Sequence, residues 1–118
     1  MKKENPVRDK SYQFALRIVK LYRYLTEQKK EFVLAKQLLR SGTSIGANIE
    51  EGLGGQSRKD FNAKLAVAYK EARETEYWIR LLRDSGYLTV AESESILQDA
   101  EELLKLLGSI QRTLKSNS

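Results

Sequence analysis

Two carboxylates one helical turn apart, Glu71 and Glu74, have the spacing in this sequence that comes closest to a reactive site. Side chains at positions i and i+3 lie on the same face of a helix, and carboxylate oxygens are ligands that Mg²⁺ accepts. One interpretation is therefore an all-carboxylate magnesium site, as in helical nucleotide hydrolases. The alternative, which we favour, is that both acids serve as hydrogen-bonding groups on or near the helix surface.

Histidine and cysteine are both absent from the 118 residues. Without histidine the chain lacks the commonest general base and the commonest metal ligand, and the Glu-x-x-His pairs of di-metal helical bundles cannot be built. Without cysteine there is neither a disulfide framework nor a thiolate nucleophile. We therefore expect a protein that is not an enzyme and that needs no cofactor and no metal.

Positive charge is concentrated at the beginning of the chain. The formal net charge is +5, whereas residues 1–30 alone carry nine Lys/Arg against three Asp/Glu. A basic face suggests an anionic partner, with nucleic acid as the first candidate, although a solvated helix face is an equally good interpretation of charge alone. The candidate phosphate contacts are Arg17, Lys20 and Arg23, together with Arg58 and Lys59, which open a later helix where anions bind readily.

Small residues interrupt an otherwise bulky sequence between Ser41 and Ala47. Gly42 and Gly46 stand one turn apart, and each glycine costs a helix up to about 1 kcal/mol relative to alanine. Close approach of another helix would offset that cost, and the bulky candidates for the contact are Tyr22, Tyr69 and Trp78.

Polar residues follow the glycines directly. Asn48 is expected to be partly buried and to need a hydrogen-bond partner, for which Glu74 is a candidate. Glu51 completes the set of residues to which we assign a structural polar or close-packing role. The cluster GLGG at 52–55 then ends the helix.

Four helices account for the apolar periodicity, at about residues 9–28, 30–52, 57–85 and 89–115. Asp9, Ser57 and Thr89 are the expected N-caps, and Gly86 suits a left-handed C-terminal position. Short connections between helices of similar length predict an all-α fold, an antiparallel up-down-up-down four-helix bundle formed by residues 1–118 as one domain.

The first helix is apolar over more than one stripe, so we expect it to be buried on two sides, one facing the core and the other a neighbouring subunit. No apolar run reaches the length needed to span a membrane, and no apolar signal core follows the first residues. The expected location is cytoplasmic, with no membrane partner.

Two segments carry a family resemblance: FVLAKQLLRSGTSIGANIEEG (32–52) and QSRKDFNAKLAVAYKEARETEYWIRLL (56–82). They resemble the small four-helix bundle proteins related to those encoded in intervening sequences of large-subunit ribosomal RNA genes. The similarity extends over the whole chain by helix order and is most specific at 32–82. The matching positions are Gln37, Arg40, Ser41, Ser44, Ile45, Asn48, Ile49, Glu51, Gly52, Ser57, Phe61, Glu74, Glu76, Tyr77 and Trp78.

The resemblance implies a bundle that assembles as a ring-shaped homopentamer. The wider group includes the accessory variability proteins of diversity-generating retroelements, which are basic pentamers that bind nucleic acid and a reverse transcriptase. No catalytic residues are implied. This chain departs from many relatives in having no proline between its first two helices.

Three hypotheses follow from the sequence. The first is a non-enzymatic oligomeric scaffold that binds structured RNA or DNA through basic helix faces. The second is a protein-protein adaptor that recruits a partner, such as a reverse transcriptase, without binding nucleic acid. The third, which is the least favoured, is a magnesium-dependent nucleotide hydrolase.

Overall fold

The computed structural model describes residues 5–116, and these form four α-helices with no β-strand among them. The helices are α1 (Pro6–Glu27), α2 (Val33–Leu53), α3 (Arg58–Asp84) and α4 (Val90–Ser116). The principal extents are 46 × 25 × 24 Å. None of these helices combines the length and apolarity needed to cross a lipid bilayer.

The first helix begins earlier than the sequence predicts. Asp9 is not its N-cap, because Asn5 has that role and its side-chain oxygen accepts a hydrogen bond of 3.1 Å from the Arg8 backbone N–H. Pro6 stands at the first helical position, where its fixed φ suits the helix and its missing N–H costs nothing. The sequence interpretation gave too little weight to an Asn-Pro pair as a start signal.

The second helix begins later than predicted, at Val33 rather than at residue 30. Lys30, in the connection between α1 and α2, adopts a left-handed backbone conformation with φ of 54°, and the chain turns there. Glu31 is buried, and its carboxylate accepts hydrogen bonds from the backbone N–H groups of Leu34 (3.1 Å) and Ala35 (2.8 Å). A glutamate thus satisfies two of the free N–H groups that every helix start exposes.

The caps predicted for the last two helices are present. The Ser57 hydroxyl accepts from the backbone N–H of Asp60 at 3.1 Å. Thr89 and Glu92 form a reciprocal pair, in which each side chain accepts from the other residue's backbone N–H, at 3.0 and 2.8 Å. Gly86, with φ of 91°, ends the turn after α3 as expected.

The core is built from the apolar stripes that the helical period predicts. In α2 the buried members of the stripe are Ala35, Leu38, Gly42, Ile45 and Ile49. In α3 they are Leu65, Ala68, Ala72, Thr75, Ile79 and Leu82, and in α4 they are Ile96, Ala100, Leu103 and Leu107. For α1 the helical period predicts a core stripe of Ala15, Ile18, Tyr22 and Leu25, but Ala15 and Tyr22 are only partly buried. The buried set is Val7, Ser11, Phe14, Ile18 and Leu25.

Each helix packs against the two that are next to it around the bundle. Contacts join α1 to α2, α2 to α3, α3 to α4 and α4 to α1, whereas the backbones of α1 and α3, which lie diagonally, are farther apart. Residues early in one helix meet residues late in its neighbour, as in the contact between Arg8 and Glu50 and that between Tyr24 and Glu92. These pairs show which residues of neighbouring helices lie at the same level, that is, at the same height along the bundle axis.

Candidate functional site

The three candidate phosphate contacts of α1 are not equivalent. Arg17 is held by α4, since its guanidinium Nη1 lies 2.5 Å from the Asp99 carboxylate in a half-exposed ion pair. Lys20 and Arg23 are exposed, and no residue of 5–116 pairs with either of them. Lys20 and Arg23 are therefore the cations of this group that remain available to an anionic partner.

Arg58 and Lys59 are exposed first-turn residues of α3 and, like the previous pair, have no ion partner within the described range. They follow the end of α2, which lies beside the start of α1. Arg23 lies about 20 Å further along α1 than Arg8, which contacts the end of α2. In addition, α1 lies diagonally across the bundle from α3. The structure does not bring the five predicted cations into one patch.

The outward face of α1 also carries exposed apolar side chains. Tyr12 and Leu16 are 61% and 44% exposed. Leu16 is one turn before Lys20 and two turns before Arg23, so all three share a face of the helix. The first half of this face is apolar and the second half is basic.

Gly42 and Gly46 pack closely against α1, although not against the aromatic side chains that the sequence suggested. A methyl group on residue 42 would lie 2.7 Å from Cγ1 of Ile18, and one on residue 46 would lie 3.4 Å from the backbone oxygen of Ser11. Both glycines thus face the core side of α1, rather than Tyr22, Tyr69 or Trp78. Aromatic bulk was a poor guide, because the buried positions of α1 facing α2 hold a β-branched residue and a serine.

Asn48 and Glu74 do not form the predicted hydrogen bond. The Asn48 amide donates to the Ser44 backbone oxygen at 2.8 Å, within its own helix. Glu74 instead meets Arg40, which is two turns before Asn48 on α2. The prediction failed because the two residues lie at different levels, about 10 Å apart along the bundle.

Arg40 joins α2 to α3 through a cluster of four residues that we call the Arg40 cluster: Arg40, Glu71, Glu74 and Trp78. The guanidinium Nη1 lies 3.1 Å from the Glu71 carboxylate, and Nη2 forms a short contact with Glu74. The Trp78 indole N–H donates to the same Glu74 oxygen at 3.0 Å. The Trp78 hydrogen bond and the Arg40 guanidinium hold the pKa of Glu74 below its ordinary value, against an opposing effect of burial.

The Arg40 cluster also bears on the magnesium-site interpretation. Both carboxylates of the i, i+3 pair point to one guanidinium, so a side-chain cation already lies between Glu71 and Glu74. In the described part of the chain, no group of three or more acidic, histidine or cysteine side chains is arranged to hold a metal ion. The sequence singled out Arg40 only as a position of the family resemblance and did not reveal its contacts, because its partners are on another helix.

A buried hydroxyl pair lies beneath the Arg40 cluster. The Thr75 hydroxyl is 2.9 Å from that of Ser41 and 2.7 Å from the Glu71 backbone oxygen, and both side chains are fully buried. At the far end of the same interface, Glu51 receives a hydrogen bond of 2.8 Å from the Lys64 ammonium group. Polar contacts therefore run along much of the α2–α3 seam.

With this geometry established, comparison with known proteins places the chain in a family. The family model described as "23S rRNA-intervening sequence protein" matches residues 3–109. The chain belongs to the 23S rRNA-intervening sequence protein family. A comparison with curated proteins gives no match.

A solved structure of similar fold supports this assignment to the 23S rRNA-intervening sequence proteins. It is a protein of unknown function from the S23 ribosomal protein family of Bacteroides thetaiotaomicron VPI-5482. The two share 57% sequence identity with a TM-score of 0.88, over 89% of this chain and 97% of the other. The resemblance stated from segments 32–52 and 56–82 is thus confirmed at the level of the family.

The protein also has a groove that the sequence analysis did not find. It lies between α3 and α4 and has a volume of about 350 Å³. We call it the α3–α4 groove; its lining residues are Tyr69, Arg73, Glu76, Glu101, Leu104, Lys105, Gly108 and Arg112. Its signal in the sequence is Gly108, a glycine in the interior of α4.

Proposed function

We propose that this protein is a non-enzymatic, oligomeric scaffold that binds structured RNA or DNA through the basic half of the α1 face. The observation that carries the proposal is the pair Lys20 and Arg23, which are exposed, lie on one face and are unpaired within residues 5–116. The family name refers to 23S rRNA, which makes a structured RNA the first ligand to test.

Lysine and arginine side chains on a helix face contact phosphates rather than base edges. Such contacts position a nucleic acid and discriminate little between sequences. They also release counterions, so affinity falls steeply as salt rises. The expected activity is therefore salt-sensitive binding with little sequence preference.

We further propose an up-down-up-down antiparallel bundle that assembles as a homopentameric ring. The pairing of early residues in one helix with late residues in the next supports this arrangement. Tyr12 and Leu16 are apolar residues exposed in the single chain, and a neighbouring subunit would cover them. Five copies would repeat the basic half of α1 around the ring and raise affinity by multivalency.

The experiment is a titration of nuclease-treated protein against a labelled structured RNA and a duplex DNA, at low and at physiological salt. The test variant is Lys20→Glu with Arg23→Glu. Arg17 stays unchanged, because reversing it would break its ion pair with Asp99 and confuse loss of binding with damage to the fold.

A control with the same change in charge is available on two other helices. Lys36→Glu with Lys70→Glu removes one exposed cation from α2 and one from α3. We expect the α1 variant to lose most of its binding and the control to keep it. Equal losses in the two variants would show that only net charge matters, and absence of binding at low salt would leave the protein-protein adaptor as the better hypothesis.

A further inference from the structure

Gly108 of α4 has no packing reason to be a glycine. A methyl group built on residue 108 would lie 3.7 Å from Cε2 of Tyr69, an ordinary contact, and 3.3 Å from the flexible end of Arg112. At Gly42, by contrast, the same methyl group would lie 2.7 Å from Ile18. Because glycine is among the least favourable residues inside a helix, its presence at 108 calls for another explanation.

The missing side chain at 108 keeps the α3–α4 groove open beside an aromatic ring. Tyr69 is partly buried against the core, and the edge of its ring lies next to Gly108. The groove volume of about 350 Å³ falls within the range of small-molecule sites. A planar group entering the groove would meet the Tyr69 ring.

Three cations line the groove together with that ring: Arg73, Lys105 and Arg112. No residue of 5–116 forms an ion pair with any of them, in contrast to Arg17 and Arg40, which have carboxylate partners. Unpaired arginine and lysine side chains around an aromatic platform are the combination with which proteins hold single-stranded nucleic acid.

The two carboxylates of the groove are placed toward one end. Glu76 and Glu101 lie about two turns from the level of Tyr69 and Gly108, while Arg112 lies one turn beyond that level in the other direction. Carboxylates repel phosphate and accept hydrogen bonds from amino groups. Phosphate would therefore lie toward Arg112, and the N–H donors of a base would face Glu76 and Glu101.

From these observations we propose that the α3–α4 groove binds a nucleotide unit, with its base on Tyr69 and its phosphate on Arg112. The groove is separate from the basic half of α1, which lies on a helix diagonal to α3. The inference deepens the proposed nucleic-acid function and rests on it for the class of ligand. It gives the protein a base-binding site in addition to the basic half of α1, which is proposed to contact only phosphates.

The test measures binding of a labelled oligo(U) 12-mer and of a blunt duplex RNA to the full chain at low salt. Gly108→Leu fills the groove, and Gly108→Ala serves as its control. Tyr69→Leu removes the ring, whereas Tyr69→Phe keeps it. Thermal unfolding of each variant confirms that the fold is intact.

We expect Gly108→Leu and Tyr69→Leu to weaken oligo(U) binding by at least about fivefold, with duplex binding unchanged. Gly108→Ala and Tyr69→Phe should remain within about twofold of the unchanged protein. Competition by AMP would identify a free nucleotide as a ligand, while loss of oligo(U) binding in the groove variants without AMP competition would identify a segment of a strand.

Two outcomes overturn the inference in different ways. If Gly108→Leu binds oligo(U) as well as the unchanged protein while the Lys20 and Arg23 reversal abolishes binding, the groove site is wrong and the proposed function stands. If neither oligo(U), AMP nor duplex binds at low salt, both fail together. Equal losses in Tyr69→Phe and Tyr69→Leu would also count against stacking on the ring.

Discussion

Gly42 of α2 lies so close to Ile18 of α1 that a methyl group on residue 42 would be 2.7 Å from Cγ1 and 2.8 Å from Cγ2 of that isoleucine. These two carbons belong to the branched base of the side chain and cannot swing away as a flexible tip would. The distance between α1 and α2 is thus set by the side chain of Ile18 on α1 and by the absence of a side chain at Gly42 on α2.

Gly42→Ala should therefore destabilise the protein, although alanine is the better helix former. Overpacking in a close-packed core costs typically about 1–3 kcal/mol, against a gain of up to about 1 kcal/mol in helix propensity. We expect a net loss in the free energy of unfolding, measured by urea denaturation. The cost should shrink in the background Ile18→Ala, where the opposing carbons are gone.

Gly108→Ala is the matched control, since the added methyl group meets there an ordinary contact with Tyr69 and the flexible end of Arg112, which can move. It should stabilise the protein by about 0.5–1 kcal/mol. Equal effects at 42 and 108 would show that propensity dominates and that the contact with Ile18 does not determine the spacing of α1 and α2.

The apolar stripes of α2, α3 and α4 could be predicted because the helical period alone places their members on one face. Contacts between residues of different helices could not be predicted. The spacing of residues along one helix shows which face they share, but not which residues of a neighbouring helix lie at the same height along the bundle. The pair Arg17 and Asp99 is separated by 82 positions, and its register depends on three intervening connections. Glu74 was named as a candidate partner of Asn48 because the sequence does not show that the two residues lie at different heights along the bundle. The α3–α4 groove likewise depends on a register that no local pattern encodes.

Glu31 provides a second prediction, because it caps α2 from a buried position. Glu31→Ala would leave the backbone N–H groups of Leu34 and Ala35 without their acceptor. Loss of a helix cap typically costs about 0.5–2 kcal/mol, and we expect the upper half of this range since two N–H groups are involved. Urea denaturation at pH 7 measures the change.

The control for Glu31 is Glu27→Ala, which removes an exposed glutamate at the end of α1. It should change the free energy of unfolding by less than about 0.5 kcal/mol, as surface substitutions usually do. If the two substitutions cost the same, the carboxylate of Glu31 contributes charge rather than capping.

The Arg40 cluster predicts a specific pH dependence. The pKa of Glu74 is lowered from its ordinary value of 4.5, chiefly by the Trp78 hydrogen bond and also by Arg40. A carboxyl group with a lowered pKa in the folded state stabilises the protein above the unfolded value and loses that contribution as pH falls through the folded value. Glu74→Gln should therefore remove stability at pH 7 and flatten the decline below about pH 4.5.

Trp78→Phe tests the larger of the two causes. Without the indole donor the pKa of Glu74 should rise toward 4.5, as measured by NMR titration of the carboxyl carbon. Tyr77→Phe is the control, because Tyr77 contacts Trp78 edge to face at 5.1 Å, and the described hydrogen bonds of Glu74 do not include it. A titration of Glu74 that is the same in Trp78→Phe as in the unchanged protein would contradict this account.

The proposed ring makes Tyr12 and Leu16 critical for assembly. Replacing both with aspartate would place two charges where a neighbouring subunit is expected to pack, and desolvating them would be costly. Light scattering should give five times the chain mass of 13.5 kDa for the unchanged protein and a smaller assembly for the variant. Val33→Asp with Val90→Asp changes two other exposed apolar residues and should leave the mass as it was.

The salt dependence of binding separates the cations of α1 by their partners. Each phosphate contact contributes about 0.9 to the slope of log affinity against log salt on duplex DNA, so Lys20→Gln and Arg23→Gln should each lower the slope by nearly one unit. Arg17→Gln should lower it by much less, because Asp99 already pairs with Arg17 and a phosphate would have to displace that carboxylate. Equal slopes for the three variants would mean that the ion pair opens when nucleic acid binds, and then Asp99→Asn should strengthen binding.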